Sequence, residues 1–227
     1  MAILITNDDG IDAPGLQTLV QVIDRLYPGQ SLVIAPQEQH SGCGHRVTVE
    51  RPLQLEQRGE QWAVDGTPVD CVRLGIHEWG SQIEWVLAGI NAGGNLGSDL
   101  YLSGTVGAVR EAALHRIPAI AISHYRQGSQ PFDWQQAARW TGEILQDLWL
   151  HPQPGSFWNV NLPHLDSGDP PRVIVPLCTQ PLPVAYRVEG NQFHYIGRYA
   201  QRKRDPDADV DRCLGGAITL TTVKVAN

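Results

Sequence analysis

The sequence predicts an α/β protein: a mostly parallel, doubly wound, Rossmann-like sheet with an added β-hairpin and a C-terminal β-rich arm. Three observations point there. Short apolar runs at residues 2–6, 31–35 and 85–90 are long enough for buried parallel strands and too short for helices. Segments with apolar residues at helical spacing fall between them, the pattern of strand–helix–strand units. Polar, glycine-containing loops follow these strands at residues 7–10, 37–45 and 91–105.

Taken in order, the run AILIT is the first strand, broken by Asn7-Asp8-Asp9-Gly10. Pro14 suits the first turn of a helix, and Leu16, Leu19, Val20, Ile23 and Leu26 continue it at helical spacing until Pro28-Gly29. Residues 31–35 form the second strand. From 46 to 65 the pattern alternates about RGEQ, which predicts the added hairpin. Thr67-Pro68-Val69-Asp70 reads as a helix start, with Thr67 as the cap and Asp70 favourable to the helix dipole. Residues 85–90 are a strand, 105–115 a helix, 118–123 a strand and 132–150 a long amphipathic helix.

Beyond residue 152 the character shifts. Residues 158–162 and 173–177 read as short strands and 187–198 as a hairpin about Gly190-Asn191. Residues 202–211 mix basic and acidic side chains, the composition of a solvated loop, and 218–225 is a last strand. The expected organisation is a catalytic core over 1–178, an arm over 179–212 for oligomerisation, and a final strand within 213–227 that returns to the core or to a partner subunit.

Composition narrows the function. The chain has 227 residues, 42% hydrophobic and 18% charged, so it is expected to fold around a substantial core. Its formal charge of −7 argues against a protein built to grip a nucleic-acid polymer. No apolar stretch approaches the ~20 residues needed to cross a bilayer. The start MAILITNDDG lacks the features of a secretory leader, so the expectation is a cytoplasmic protein without a membrane partner. Cys43, Cys71, Cys178 and Cys213 are dispersed without a Cys-x-x-Cys, consistent with a reducing compartment. The only lysines are Lys203 and Lys224, and no P-loop signature occurs.

In an open parallel sheet, ligands bind beyond the carboxyl ends of the strands, where the three polar loops fall. Their side chains are oxygen donors, the set chosen by a hard divalent cation such as Mg²⁺ or Mn²⁺. Asp8 and Asp9 reach one ion only if the backbone turns, which Gly10 permits; otherwise the pair is a surface turn before a helix. Ser41 and Asn91 can complete the shell without adding negative charge, or serve as a turn residue and a strand-end cap. Asn91-Ala-Gly-Gly94-Asn95-Leu-Gly and Ser103-Gly104-Thr105 suit an anion at the start of a helix, and Ser103 can also be only a cap. His40 and His45 flank Ser41 and could reach a phosphate or act as an acid. Arg110 and Glu111 read as an internal ion pair.

The stretches ILITNDDGIDAPGLQTL, IAPQEQHSG, VDGTPVDCV, AGINAGGNLGSDLYLSGTVGAVREAAL and IPAIAIS resemble the SurE family of survival-protein nucleotidases, as does WNVNLP further on. The resemblance implies a metal-dependent phosphatase acting on nucleoside 5′- and 3′-monophosphates, with short polyphosphate as a further substrate. It implies one divalent cation on Asp8, Asp9, Ser41 and Asn91, phosphate contacts from Asn95, Ser103, Gly104 and Thr105, and a homodimer or homotetramer. This chain has Ala88, His45 and Ser98 where the family usually has Ser, Ser and Asp. It also stops soon after its last strand, which leaves the 179–212 arm as the expected intersubunit element. Two rivals remain at this point: an aspartyl-phosphate mechanism on Asp8, and a non-catalytic nucleotide or phosphate sensor. The first wants an Asp where Gly10 stands and a well-placed lysine.

Overall fold

The computed structural model describes residues 1–225. Of the final segment 213–227, the last two positions lie outside the described residues. The chain begins β1 (Ala2–Thr6), α1 (Pro14–Leu26) and β2 (Ser31–Pro36), followed by a hairpin of β3 (Leu55–Arg58) and β4 (Gln61–Val64). Next come α2 (Pro68–Trp79), β5 (Ile83–Ala92), α3 (Gly104–Leu114), β6 (Ala119–His124), α4 (Trp134–Leu148) and β7 (Ser156–Leu162). The remainder is β8 (Arg172–Ile174), β9 (Tyr186–Glu189), β10 (Gln192–Tyr195), α5 (Asp209–Leu214) and β11 (Ile218–Lys224).

Nine strands form one sheet in the order β3-β4-β2-β1-β5-β6-β7-β11-β8. From β4 through β7 every neighbouring pair is parallel. Side-chain alternation divides the apolar residues between two faces. Ile3 and Ile5 join the cluster under α1 and α4. Leu4 joins the cluster under α2 and α3. Several local signals are realised as read. Thr67 Oγ1 accepts from Asp70 N while Asp70 Oδ2 accepts from Thr67 N, a reciprocal cap, and Pro68 follows at the first helical position.

The chain leaves β1 toward β2 on one side, and β5 returns to its other side. The order therefore reverses between β1 and β5, and a crevice opens beyond their carboxyl ends. Close packing sharpens it. A Cβ on Gly15 would meet the Ile90 carbonyl oxygen at 2.0 Å, so only glycine lets α1 lie this near β5.

Four expectations need correction. The 46–65 hairpin is confined to β3 and β4, and residues 46–54 carry no strand. The strand expected at 173–177 is the three-residue β8. The 202–211 segment is a solvated loop only in part: residues 203–207 are mostly exposed, but Arg202 is 2% exposed, Asp209 is buried, and Asp209 opens α5. Arg202 and Asp209 are turned inward, against other parts of the chain, which composition alone does not reveal. Arg110 and Glu111 do not pair with each other. Arg110 donates to the Leu100 carbonyl, while Glu111 takes Arg73 at 2.6 Å and His45 at 2.8 Å. β9 and β10 form the expected separate hairpin, and β11 enters the main sheet of its own chain between β7 and β8.

Candidate active site

Three loops meet beyond β1, β2 and β5. The turn after β1 is closed by Asn7, whose amide nitrogen donates to the Gly10 carbonyl at 2.8 Å; Gly10 itself has φ +102°. This is the turn that Asp8 and Asp9 require to face one point. His40 N donates to the Asp8 carbonyl at 2.7 Å, fastening the second loop to the first. Ala92 N donates to Asp9 Oδ2 at 3.0 Å, fastening the third. Gly44 N donates to the Leu102 carbonyl at 2.9 Å and joins the second loop to the third.

The loops enclose a pocket of about 220 Å³. Asp8, Asp9, Ser41, Asn91, Asn95 and Ser103 line it, so six of the residues singled out from the sequence come together. Gln39 and Asp99 line it as well. Gln39 Nε2 donates to Ser41 Oγ at 2.8 Å and reaches Asp9 Oδ1 at 3.4 Å, bridging two of the oxygen donors. Asn91 Nδ2 is taken by the Gly93 carbonyl at 2.7 Å. Ser103 Oγ caps α3 by accepting from Val106 N at 3.1 Å, which leaves its own proton available to a ligand.

The other singled-out residues lie elsewhere. Thr105 stands behind Asp8: its hydroxyl donates to Asp8 Oδ1 at 2.5 Å, and it is fully buried. Gly104 packs against Asp8, where an added Cβ would meet Asp8 Cβ at 2.9 Å. His45 is turned to Glu111. Gly94 lines a neighbouring cavity.

Burial pushes the Asp8 carboxyl up to about 6; the Thr105 hydroxyl opposes this and the nearby Asp9 adds to it. No Lys, Arg or His lines the pocket, so no protein cation offsets the Asp8–Asp9 pair there. Asp99 is different. Arg202 Nη1 lies 2.7 Å from Asp99 Oδ2, and the Tyr199 hydroxyl donates to the same oxygen at 2.6 Å. Among the described residues, no group of three or more His, Cys, Asp and Glu side chains is placed to hold a metal ion. A cation here must therefore take hydroxyl and amide oxygens beside two carboxylates. That is the donor chemistry of a hard divalent ion, and Asp8, Asp9, Ser41 and Asn91 fit it.

The sequence reading missed the supports. Asn95 is pinned from three sides: its backbone N–H donates to Asn161 Oδ1, its carbonyl accepts from Asn159 and Asn161, and its side chain donates to Ser123. Asn159 and Asn161 belong to the WNVNLP stretch, so a signal was present. Asp209 accepts from Gly97 N at 2.7 Å and from Cys178 N at 2.8 Å, a link with no local sequence signature.

The family profile described as Survival protein SurE matches residues 3–180. A protein from a Nostoc species is 50% identical over 230 residues, covering 99% of this chain and 100% of its own length. The 5′-nucleotidase SurE of Acinetobacter baylyi is 34% identical over 241 residues, covering 99% of this chain and 94% of its own. The crystal structure of the SurE protein from Aquifex aeolicus superposes with a TM-score of 0.86 at 27% identity, over 100% of this chain and 94% of that one. With the profile over most of its length and relatives aligned nearly end to end, this chain belongs to the SurE family.

Proposed function

We propose that the protein is a divalent-metal-dependent phosphomonoesterase that releases phosphate from nucleoside 5′-monophosphates, with 3′-monophosphates and short polyphosphate as further substrates. The observation that carries this reading is the convergence of Asp8, Asp9, Ser41, Asn91, Asn95 and Ser103 on one pocket at the sheet's switch point. The name 5′-nucleotidase carried by the Acinetobacter relative supports the substrate class.

Asp8, Asp9, Ser41 and Asn91 would hold Mg²⁺ or Mn²⁺. When bound, such an ion supplies charge neutralisation at phosphoryl oxygens and a more acidic water. Thr105 fixes the orientation of Asp8 through its hydroxyl, and the Ala92 amide fixes Asp9. Ser103 can donate its hydroxyl proton to a phosphoryl oxygen beside the amino end of α3, where the helix dipole favours negative charge. The anchoring of Asn95 keeps the donor loop in place before substrate arrives, the condition for electrostatic stabilisation of developing charge. No lysine lines the pocket, which disfavours an aspartyl-phosphate route.

The arm supports a homodimer or homotetramer. Val188 on β9 and Phe193 and Tyr195 on β10 are exposed apolar side chains, a surface suited to a second copy. Among the described residues no helix is long and apolar enough to cross a membrane. The cytoplasm remains the compartment we propose.

Phosphate release from a nucleoside monophosphate tests the reading. It should vanish in EDTA and return with added Mn²⁺ or Mg²⁺. Tight nucleotide binding without turnover under any divalent ion would make the protein a sensor instead.

A further inference from the structure

We propose that a second metal site lies beyond the ends of β6 and β7, where His124 and His164 take a divalent ion of the zinc class. The cavity there has a volume of about 190 Å³ and is lined by both histidines with Asp133, Gln136 and Asp166. It shares no lining residue with the acidic pocket. His124 continues the alternation of Ile120 and Ile122, which pack under α1 and α4. Ser123, one residue earlier, faces the other way and bonds Asn95 of the acidic pocket.

His124 is prepared as a ligand. It is 2% exposed, and its ring packs against Phe132 and Trp134, with centroids 5.2 and 6.2 Å away. Its Nδ1 lies 2.9 Å from the Tyr125 carbonyl oxygen, which can only accept, so Nδ1 carries the proton. Nε2 is left with its lone pair, and among the described residues it has no hydrogen-bond partner. Metal-bound imidazoles are held in the same way, the second ring nitrogen donating to a carbonyl or carboxylate. Burial pushes the ring down to about 4, so it is uncharged at neutral pH.

The His164 ring centroid lies 6.2 Å from that of His124. Two imidazoles bound to one ion at about 2.0–2.1 Å put their ring centres roughly 5–6.5 Å apart. Asp133 Oδ1 is spent on capping α4, which leaves Oδ2 and the exposed Asp166 to offset the ion's charge. No Lys or Arg lines the cavity. Three such groups are not assembled in advance, so the set closes when the half-buried His164 and Asp166, both on the loop after β7, turn toward His124. Imidazole nitrogen selects a borderline ion over Mg²⁺, which keeps to oxygen ligands.

Untagged full-length protein carrying Asp8→Asn and Asp9→Asn, which removes both carboxylates of the acidic pocket, isolates the second site. Calorimetric titration with Zn²⁺ and visible absorption with Co²⁺ are read on that background, alone and with His164→Ala or His124→Phe added. One equivalent of Zn²⁺ should bind, an excess of Mg²⁺ should not displace it, and Co²⁺ should show the ligand-field bands of nitrogen coordination. Loss of either imidazole should weaken Zn²⁺ binding by at least the ~10- to 100-fold that loss of a ligand's outer partner costs. His164 is half-buried on a loop, so His164→Ala carries the test if the buried His124→Phe does not fold. Absence of bound Zn²⁺, displacement of Zn²⁺ by Mg²⁺, or an affinity unchanged by His164→Ala overturns the proposal.

Discussion

Arg202 Nη1 lies 2.7 Å from Asp99 Oδ2 across 103 residues of sequence, and the arginine side chain is fully buried. Its second nitrogen donates to the Leu96 carbonyl and Ser98 Oγ, both at 3.2 Å. The carboxyl-terminal segment thereby grips the loop that carries Asn95 and leads into Ser103. Removing one partner of a buried pair strands the other charge, so Arg202→Met should cost about 3–5 kcal/mol in a denaturant titration. Arg202→Lys should recover only part of it, because an ammonium cannot span these acceptors as a planar fork does.

Thr105→Val is nearly isosteric and removes only the hydroxyl that holds Asp8 Oδ1. The fold should survive, while activity or metal affinity falls about 10- to 100-fold, as for other partners that orient a metal ligand. Steady-state kinetics across a Mn²⁺ titration would detect it. An unchanged titration would remove Thr105 from the account.

Glu111 is held down to about 2 from an ordinary 4.5, first by the hydrogen bond from His45 and further by Arg73, against its burial. A depressed carboxyl stabilises the fold fully above its unfolded value and loses that contribution as pH falls toward the folded one. Glu111→Gln should therefore be less stable than wild type by about 2 kcal/mol near neutral pH. The gap between their urea midpoints should close from about pH 4.5 downward.

A Cβ on Gly107 would meet the Gly44 carbonyl oxygen at 2.4 Å, a backbone atom of the loop that carries Ser41. Gly107→Ala should push that loop from α3 and cost about 1–3 kcal/mol, with turnover falling alongside. Thermal melts and phosphate release on the same preparation would show both.

Much of this was legible in the sequence where the controlling interactions are local. The Thr67–Asp70 cap spans three residues, and the β1–α1–β2 unit follows from run length and periodicity. The same holds for Asp8 and Asp9, because Asn7 and Gly10 supply their turn nearby. Long-range pairing was not legible. Thr105 reads as a phosphate contact by its place at a helix start, yet its hydroxyl is used 97 residues away on Asp8. The 202–211 segment has the composition of a surface loop because ion pairs look alike whether they face water or protein. Only the fold brings Asp99 and Gly97 within reach of Arg202 and Asp209.

The central claim is that oxygens from three loops hold one divalent cation beside the phosphate pocket. Anomalous diffraction from a crystal soaked in manganese tests it most directly. The account predicts a single peak within coordination distance of Asp8, Asp9, Ser41 and Asn91. Absence of density among those side chains in a manganese-soaked crystal that binds the ion elsewhere would contradict it.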